Sequence, residues 1–137
     1  MTFKKLATLA MATVVSASLL VGCSGSKESA KDDKITVAMI TDVAGVNDQS
    51  FNQSAWEGLQ RAEKELGVEV KYLESNQDSD YVPNIEQFVD EDTDLIIGVG
   101  YKLADALETA AKNYPEQQFA IIDHVYEKQP ENITSLS

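Results

Sequence analysis

Short apolar runs alternate with stripes of helical spacing along most of this chain, and a parallel sheet with crossover helices accommodates that alternation. Ile35-Thr36-Val37-Ala38-Met39-Ile40 is a compact apolar run. Phe51, Ala55, Leu59, Ala62 and Leu66 then recur at a spacing that lines one helix face, and Gly67 closes the stripe. Ser50 is placed to cap this helix, with Gln53 in the reciprocal position of a capping box. Val68 to Leu73 reads as a second strand. Val82, Ile85, Phe88 and Val89 mark a shorter helix that tolerates Pro83 in its first turn. Leu95 to Gly100 is a buried strand ending in glycines, and Leu103, Leu107, Ala110 or Ala111, and Tyr114 define the next helix. Phe119 to Asp123 is a fourth strand, continuously apolar as buried parallel strands are. Ile133 to Leu136 opens a fifth. The reading is a doubly wound α/β fold, a parallel sheet flanked by helices, over residues 35–137. No helical stripe follows the last strand, so the expectation is an incomplete first lobe with a second lobe missing; a small complete domain with a frayed end is the alternative.

The residues before this region have a different character. Lys4 and Lys5 precede an almost unbroken apolar run from Leu6 to Val21, which reads as a signal segment over residues 1–22. The run is shorter than the ~20 residues that span a bilayer comfortably. Cys23 is the only cysteine, so an internal disulfide is excluded. Leu20-Val21-Gly22-Cys23 resembles the lipobox of bacterial lipoproteins, which makes Cys23 the expected lipidation site on an extracytoplasmic, membrane-anchored protein. Each buried CH2 of an acyl chain contributes about 0.8 kcal/mol, so more than one chain anchors stably. Residues 23–34 continue as a polar, charged tether with nothing to bury.

Charge removes one class of partner. The chain carries 23 acidic and 11 basic residues, for a formal charge of -12, and removal of residues 1–22, with Lys4, Lys5 and no acid, makes it -14. No basic stripe remains for nucleic acid.

In open parallel sheets ligands bind beyond the carboxyl ends of the strands. Four features fall there in this reading: the loop from Thr41 to Asn52 (TDVAGVNDQSFN), Asn76 to Asp80, Gly98-Val99-Gly100-Tyr101, and Asp123-His124. Asp42, directly at a strand end, is read as a ligand contact, with turn capping as the alternative. Asp48 is open between a ligand contact and a brace for the loop or the helix start. Phe51 is either a ring for a ligand or a core residue, and Asn52 can both donate and accept. Gly98 and Gly100 allow close backbone approach, but GVGYKLAD lacks the spacing of a phosphate or dinucleotide loop. Asp123 ends an apolar strand, where a buried carboxylate needs donors from a ligand or from loop N–H groups. His124, the single histidine, has no companion cluster for a metal. The aspartates do not follow calcium-loop spacing, and Ser50 and Ser54 lack a nucleophile-elbow context. No cofactor and no catalytic residue is expected.

The stretch TDVAGVNDQSFNQSAWEGL, joined to the lipobox and to LIIGVGYKLADALETAAKNYPEQQFAIID, resembles the basic membrane lipoprotein family. These are bacterial substrate-binding lipoproteins related to a purine-nucleoside receptor and serving ABC-type importers. The resemblance implies two α/β lobes of a type I periplasmic-binding-protein-like fold, closing on a ligand by a hinge, of which this chain covers most of the first. It further implies that Asp42 hydrogen-bonds the ligand, Phe51 stacks on a purine, Asn52 adds a polar contact and Asp123 reads donor edges of the base. Gly45, Asp48, Gly98 and Gly100 support the loops. The implied partners are a purine nucleoside and an ABC permease, the protein itself acting as a monomer. One departure stands out: the family's loop commonly reads Asp-x-Gly-Gly, and here it is Asp42-Val43-Ala44-Gly45. If that first glycine needs positive φ, Ala44 costs on the order of 1 kcal/mol; if it needs clearance, the methyl narrows the pocket.

The function expected is therefore that of a membrane-tethered, non-enzymatic receptor for nucleosides. A lipid-anchored sensor or adhesion module, a binding protein for a sugar or peptide, and an extracytoplasmic enzyme are the alternatives. Transport assays separate the first, binding assays the second and product analysis the third.

Overall fold

A computed structural model describes residues 34–137. The signal segment, Cys23 and the tether up to residue 33 lie outside the described residues. Five strands, β1 (Thr36–Ile40), β2 (Glu69–Leu73), β3 (Leu95–Val99), β4 (Gln118–Ile122) and β5 (Ile133–Leu136), form one sheet in the order β2-β1-β3-β4-β5. Every neighbouring pair is parallel. The helices are α1 (Phe51–Leu66), α2 (Tyr81–Asp90) and α3 (Ala104–Asn113), the last two each preceded by a single 3-10 turn. None of the described helices is long and apolar enough to cross a membrane.

Two faces of the sheet carry different loads because side chains alternate along each strand. Ala38, Ile40, Ile96, Phe119, Ile121 and Ile133 point to one side and pack with Ile85 and Phe88 from α2, Leu107 from α3 and Leu103 from the turn before α3. Each fully buried side chain of this size contributes roughly 1.5–3 kcal/mol, so this layer is the main source of stability. Val37, Met39, Ile97 and Val99 point to the other side, where Ala55, Trp56 and Leu59 of α1 cover them. Trp56 also meets Tyr72 of β2, with ring centroids 4.7 Å apart.

Gly67 ends α1 as expected, in the left-handed conformation, with its N–H donating to Glu63 O at 3.1 Å. At the ends of the α1 stripe Leu66 is exposed rather than packed, and Phe51, left open between ring and core by the sequence, is exposed. In α2 Ile85, Phe88 and Val89 pack as expected, but at the start of the helix Tyr81 is buried and Val82 exposed. Gly98 serves packing, since a Cβ there would lie 2.5 Å from Leu107 Cδ1 and 3.2 Å from Leu103 Cδ2. Its missing side chain lets α3 approach β3.

Candidate functional site

The strand order reverses between β1 and β3. The chain leaves β1 through α1 to reach β2 on one side, then returns through α2 to β3 on the other. Connections leaving in opposite directions open a crevice at the carboxyl ends of β1 and β3, where open α/β sheets hold ligands. Asp42 stands past the end of β1 and Gly100 past the end of β3. They meet there: a Cβ on Gly100 would lie 3.6 Å from Asp42 Oδ2.

The first loop is tied internally by its own side chains. Asp42 O accepts the Gly45 N–H at 3.2 Å, closing a β-turn, and Asp42 Oδ1 accepts the Ala44 N–H at 2.9 Å. Gly45 takes φ +74 and Ala44 has no positive φ, so the alanine carries no left-handed strain. Glu74, just beyond β2, reaches across to accept the Val46 N–H at 2.7 Å. A Cβ on Gly45 would lie 3.1 Å from the same Glu74 Oε1, so a side chain here would be strained by the backbone conformation and crowded against the brace.

The start of α1 is held by Asp48, and the Ser50 side chain makes no capping bond. Asp48 Oδ1 accepts the N–H groups of Ser50 at 2.8 Å and Gln53 at 3.0 Å, and Oδ2 accepts that of Asn52 at 3.1 Å. Gln53 turns instead to Glu57, 2.9 Å away. The capping box anticipated at Ser50 and Gln53 is thus replaced by a carboxylate two residues upstream. Gln49, with φ 55, provides the left-handed step between Asp48 and the helix. A carboxylate suits orphan N–H groups better than a hydroxyl because it adds charge to the hydrogen bond. Burial alone would raise the Asp48 pKa; the donors from Gln53, Ser50 and Asn52 outweigh it and hold the carboxyl below its ordinary range.

Phe51 and Asn52 follow each other with opposite exposures. Phe51 is 54 % exposed, so its ring stands on the edge of the sheet rather than in the core. Asn52 is 2 % exposed and points inward. Its Nδ2 donates to Asp42 Oδ1 at 2.8 Å and to Asp48 Oδ2 at 2.9 Å, while its Oδ1 accepts the Asp42 N–H at 3.3 Å.

At β4, the Asp123 N–H donates to Leu136 O at 2.8 Å, extending the ladder by one residue. Asp123 has φ 65, which turns the chain sharply off the sheet. It is exposed, and its carboxylate has no hydrogen-bond partner among the described residues, so the expectation of a buried carboxylate is corrected. The apolar run misled because the side chain lies one residue past the strand. His124 packs edge-on against Tyr126, ring centroids 4.6 Å apart, and no group of acidic, histidine or cysteine side chains among the described residues could hold a metal.

Asn76 to Asp80, the fourth edge feature, folds on itself. Asp80 Oδ2 accepts the N–H groups of Asn76 and Gln77 at 2.9 and 3.2 Å. Three residues of this edge were not singled out as site residues from the sequence. Glu74 braces the first loop. Tyr81 lies buried under it, donating to Asp78 Oδ1 at 3.0 Å. Burial first, then the Asp78 hydrogen bond and the charges of Asp78 and Asp42, push its hydroxyl up to about 12. Tyr101 follows Gly100 and is 64 % exposed, a second open ring on this edge. Only its position after the strand-ending glycine signals it in the sequence.

Residues 35–137 match the family model described as Bmp, ABC transporter substrate-binding protein PnrA-like. The CD4+ T-cell-stimulating antigen of Listeria innocua is 41 % identical over 97 % of this chain and 40 % of its own length. The ABC transporter nucleoside-binding protein BmpA of Lactococcus lactis is 40 % identical over 96 % of this chain and 40 % of its own. Among solved structures, a putative lipoprotein fragment from Peptoclostridium difficile 630 is 45 % identical with a TM-score of 0.70, covering 74 % of this chain and 84 % of that one. ABC transporter solute-binding proteins from Aeropyrum pernix are 34 % identical with a TM-score of 0.68, over 74 % of this chain and 28 % of that one. The chain spans 40 % of the length of these first curated relatives.

Proposed function

Because the chain belongs to the Bmp family of PnrA-like ABC transporter substrate-binding proteins, we propose that it supplies the first lobe of a lipid-anchored receptor that captures purine nucleosides and hands them to an ABC permease. Cys23 is the anchor in this reading, placing the protein on the extracytoplasmic face of the membrane. The receptor works as a monomer and turns nothing over: it binds and releases.

One observation carries the ligand class. Past the end of β1 the Asp42 carboxylate has one oxygen engaged and the other facing Gly100, and the loop that carries it runs on to the exposed Phe51 ring at the start of α1. A purine nucleoside is flat on one aspect and carries N–H and O–H donors on its edges. Stacking on Phe51 is worth roughly 1–3 kcal/mol. Asp42 Oδ2 and the unpartnered Asp123 carboxylate then accept donors from the base or sugar. An uncharged nucleoside needs no phosphate cradle, in keeping with the acidic edge. Nucleoside binding by the Lactococcus relative, as its name states, supports the same choice.

A single lobe offers half a cleft, so tight capture relies on a second lobe closing over the ligand. Calorimetry on the full-length protein with guanosine, inosine, adenosine and ribose tests the reading. Binding of at least one nucleoside in preference to ribose is expected; binding of none refutes the specificity.

A further inference from the structure

Asn52 is read from the sequence as a ligand contact, yet its amide has no donor left to offer. Both Nδ2 hydrogens are spent, on Asp42 Oδ1 and Asp48 Oδ2, and its Oδ1 already takes the Asp42 N–H. The amide is also fixed in orientation. Flipped, it would set a carbonyl oxygen against two carboxylate oxygens, which repel it. Asp48 in turn is held by three backbone N–H groups at the start of α1. A continuous chain of hydrogen bonds thus runs from the helix start, through a buried amide, to the carboxylate at the switch point.

Resting on the reading of Asp42 as a ligand contact, we infer that Asn52, braced by Asp48, is a positioning residue that fixes the orientation in which the Asp42 carboxylate meets the ligand. With the Ala44 N–H and the Asn52 amide both on Oδ1, that oxygen is occupied, and Oδ2 is left on the Gly100 side of the crevice. The carboxylate cannot rotate to exchange its oxygens without breaking both bonds. It therefore presents one oriented acceptor rather than two loose ones, and little rotamer freedom remains to be lost on binding. Phe51 sits in the chain between the Asp48 cap and Asn52, so its backbone belongs to the same helix start.

A double-mutant cycle on the full-length protein, with guanosine affinity read by calorimetry, tests this. Asp42→Ala and Asn52→Ala should each weaken binding by about tenfold to a hundredfold, the range for losing a hydrogen bond to a charged group. In the Asp42→Ala background, Asn52→Ala should add less than about twofold, since coupled residues are not additive. Asn52→Ser, which keeps one donor, should retain an intermediate affinity and serves if the alanine variant fails to fold. Full additivity of the Asn52 and Asp42 losses would overturn the positioning role while leaving Asp42 as a ligand contact. An Asp42→Ala protein that binds guanosine normally would instead remove the premise on which the role rests.

Discussion

Gly100 and Asp42 face each other across the switch point, with room for only a methyl group between the backbone of one and Oδ2 of the other. Gly100 adopts φ 97 and ψ 147, a region that side-chain-bearing residues avoid. Gly100→Ala is expected to cost about 1–3 kcal/mol of stability and to weaken ligand binding by crowding the free oxygen of Asp42. Urea unfolding and calorimetry check the two effects separately.

Gly98 makes the contrasting case. Its Cβ would strike Leu107 and Leu103 in the core, not the crevice. Gly98→Ala should destabilise by about 1–3 kcal/mol through overpacking, and the folded fraction should bind ligand as before. A variant that loses affinity with unchanged stability would contradict this division of labour.

Asp48, not Ser50, caps α1. Asp48→Ala should cost about 1–2 kcal/mol, whereas Ser50→Ala should fall within about 0.5 kcal/mol of the parent. The folded-state pKa of Asp48 lies below its ordinary value of 3.8. The unfolded chain therefore binds the proton first as pH falls, so the cap's contribution is full above that value and is lost through the lowered folded pKa. Chemical unfolding across the acid range should show this loss in the parent and not in Asp48→Ala.

Ala44 should prove innocent. It is exposed and lacks positive φ, so Ala44→Gly relieves nothing and should lower stability by about 0.4–1 kcal/mol through the unfolded chain. Gly45→Ala should be worse, because φ +74 and Glu74 Oε1 at 3.1 Å both oppose a side chain. Thermal unfolding of the pair ranks them.

The fold was legible because buried parallel strands are written as continuous apolar runs, and Leu95 to Val99 and Phe119 to Ile122 are such runs. Gly67 announced the end of α1 because little else adopts its conformation cheaply. The four edge features also fell at the carboxyl ends, as topology requires. What misled was chemistry that depends on a neighbour distant in sequence. Ser50 looked like a cap because Asp48's reach back to the helix needs the left-handed step at Gln49, which no motif announces. Phe51 sat in a helical stripe, and whether such a ring is core or edge depends on where the sheet ends beneath it. Asn52 gave no sign that Asp42, ten residues away, would take its donor. Glu74 and Tyr81 act on the first loop from the second, a pairing that exists only once β1 and β2 lie side by side.

Guanosine affinity of the full-length protein with and without the Phe51 ring is the most direct test. The parent should bind guanosine, and Phe51→Ala should bind it about tenfold to a hundredfold more weakly, as loss of one stacking platform predicts, with its unfolding midpoint little changed because the ring is exposed. Equal guanosine affinity in the two proteins would show that this edge of the lobe does not receive the base.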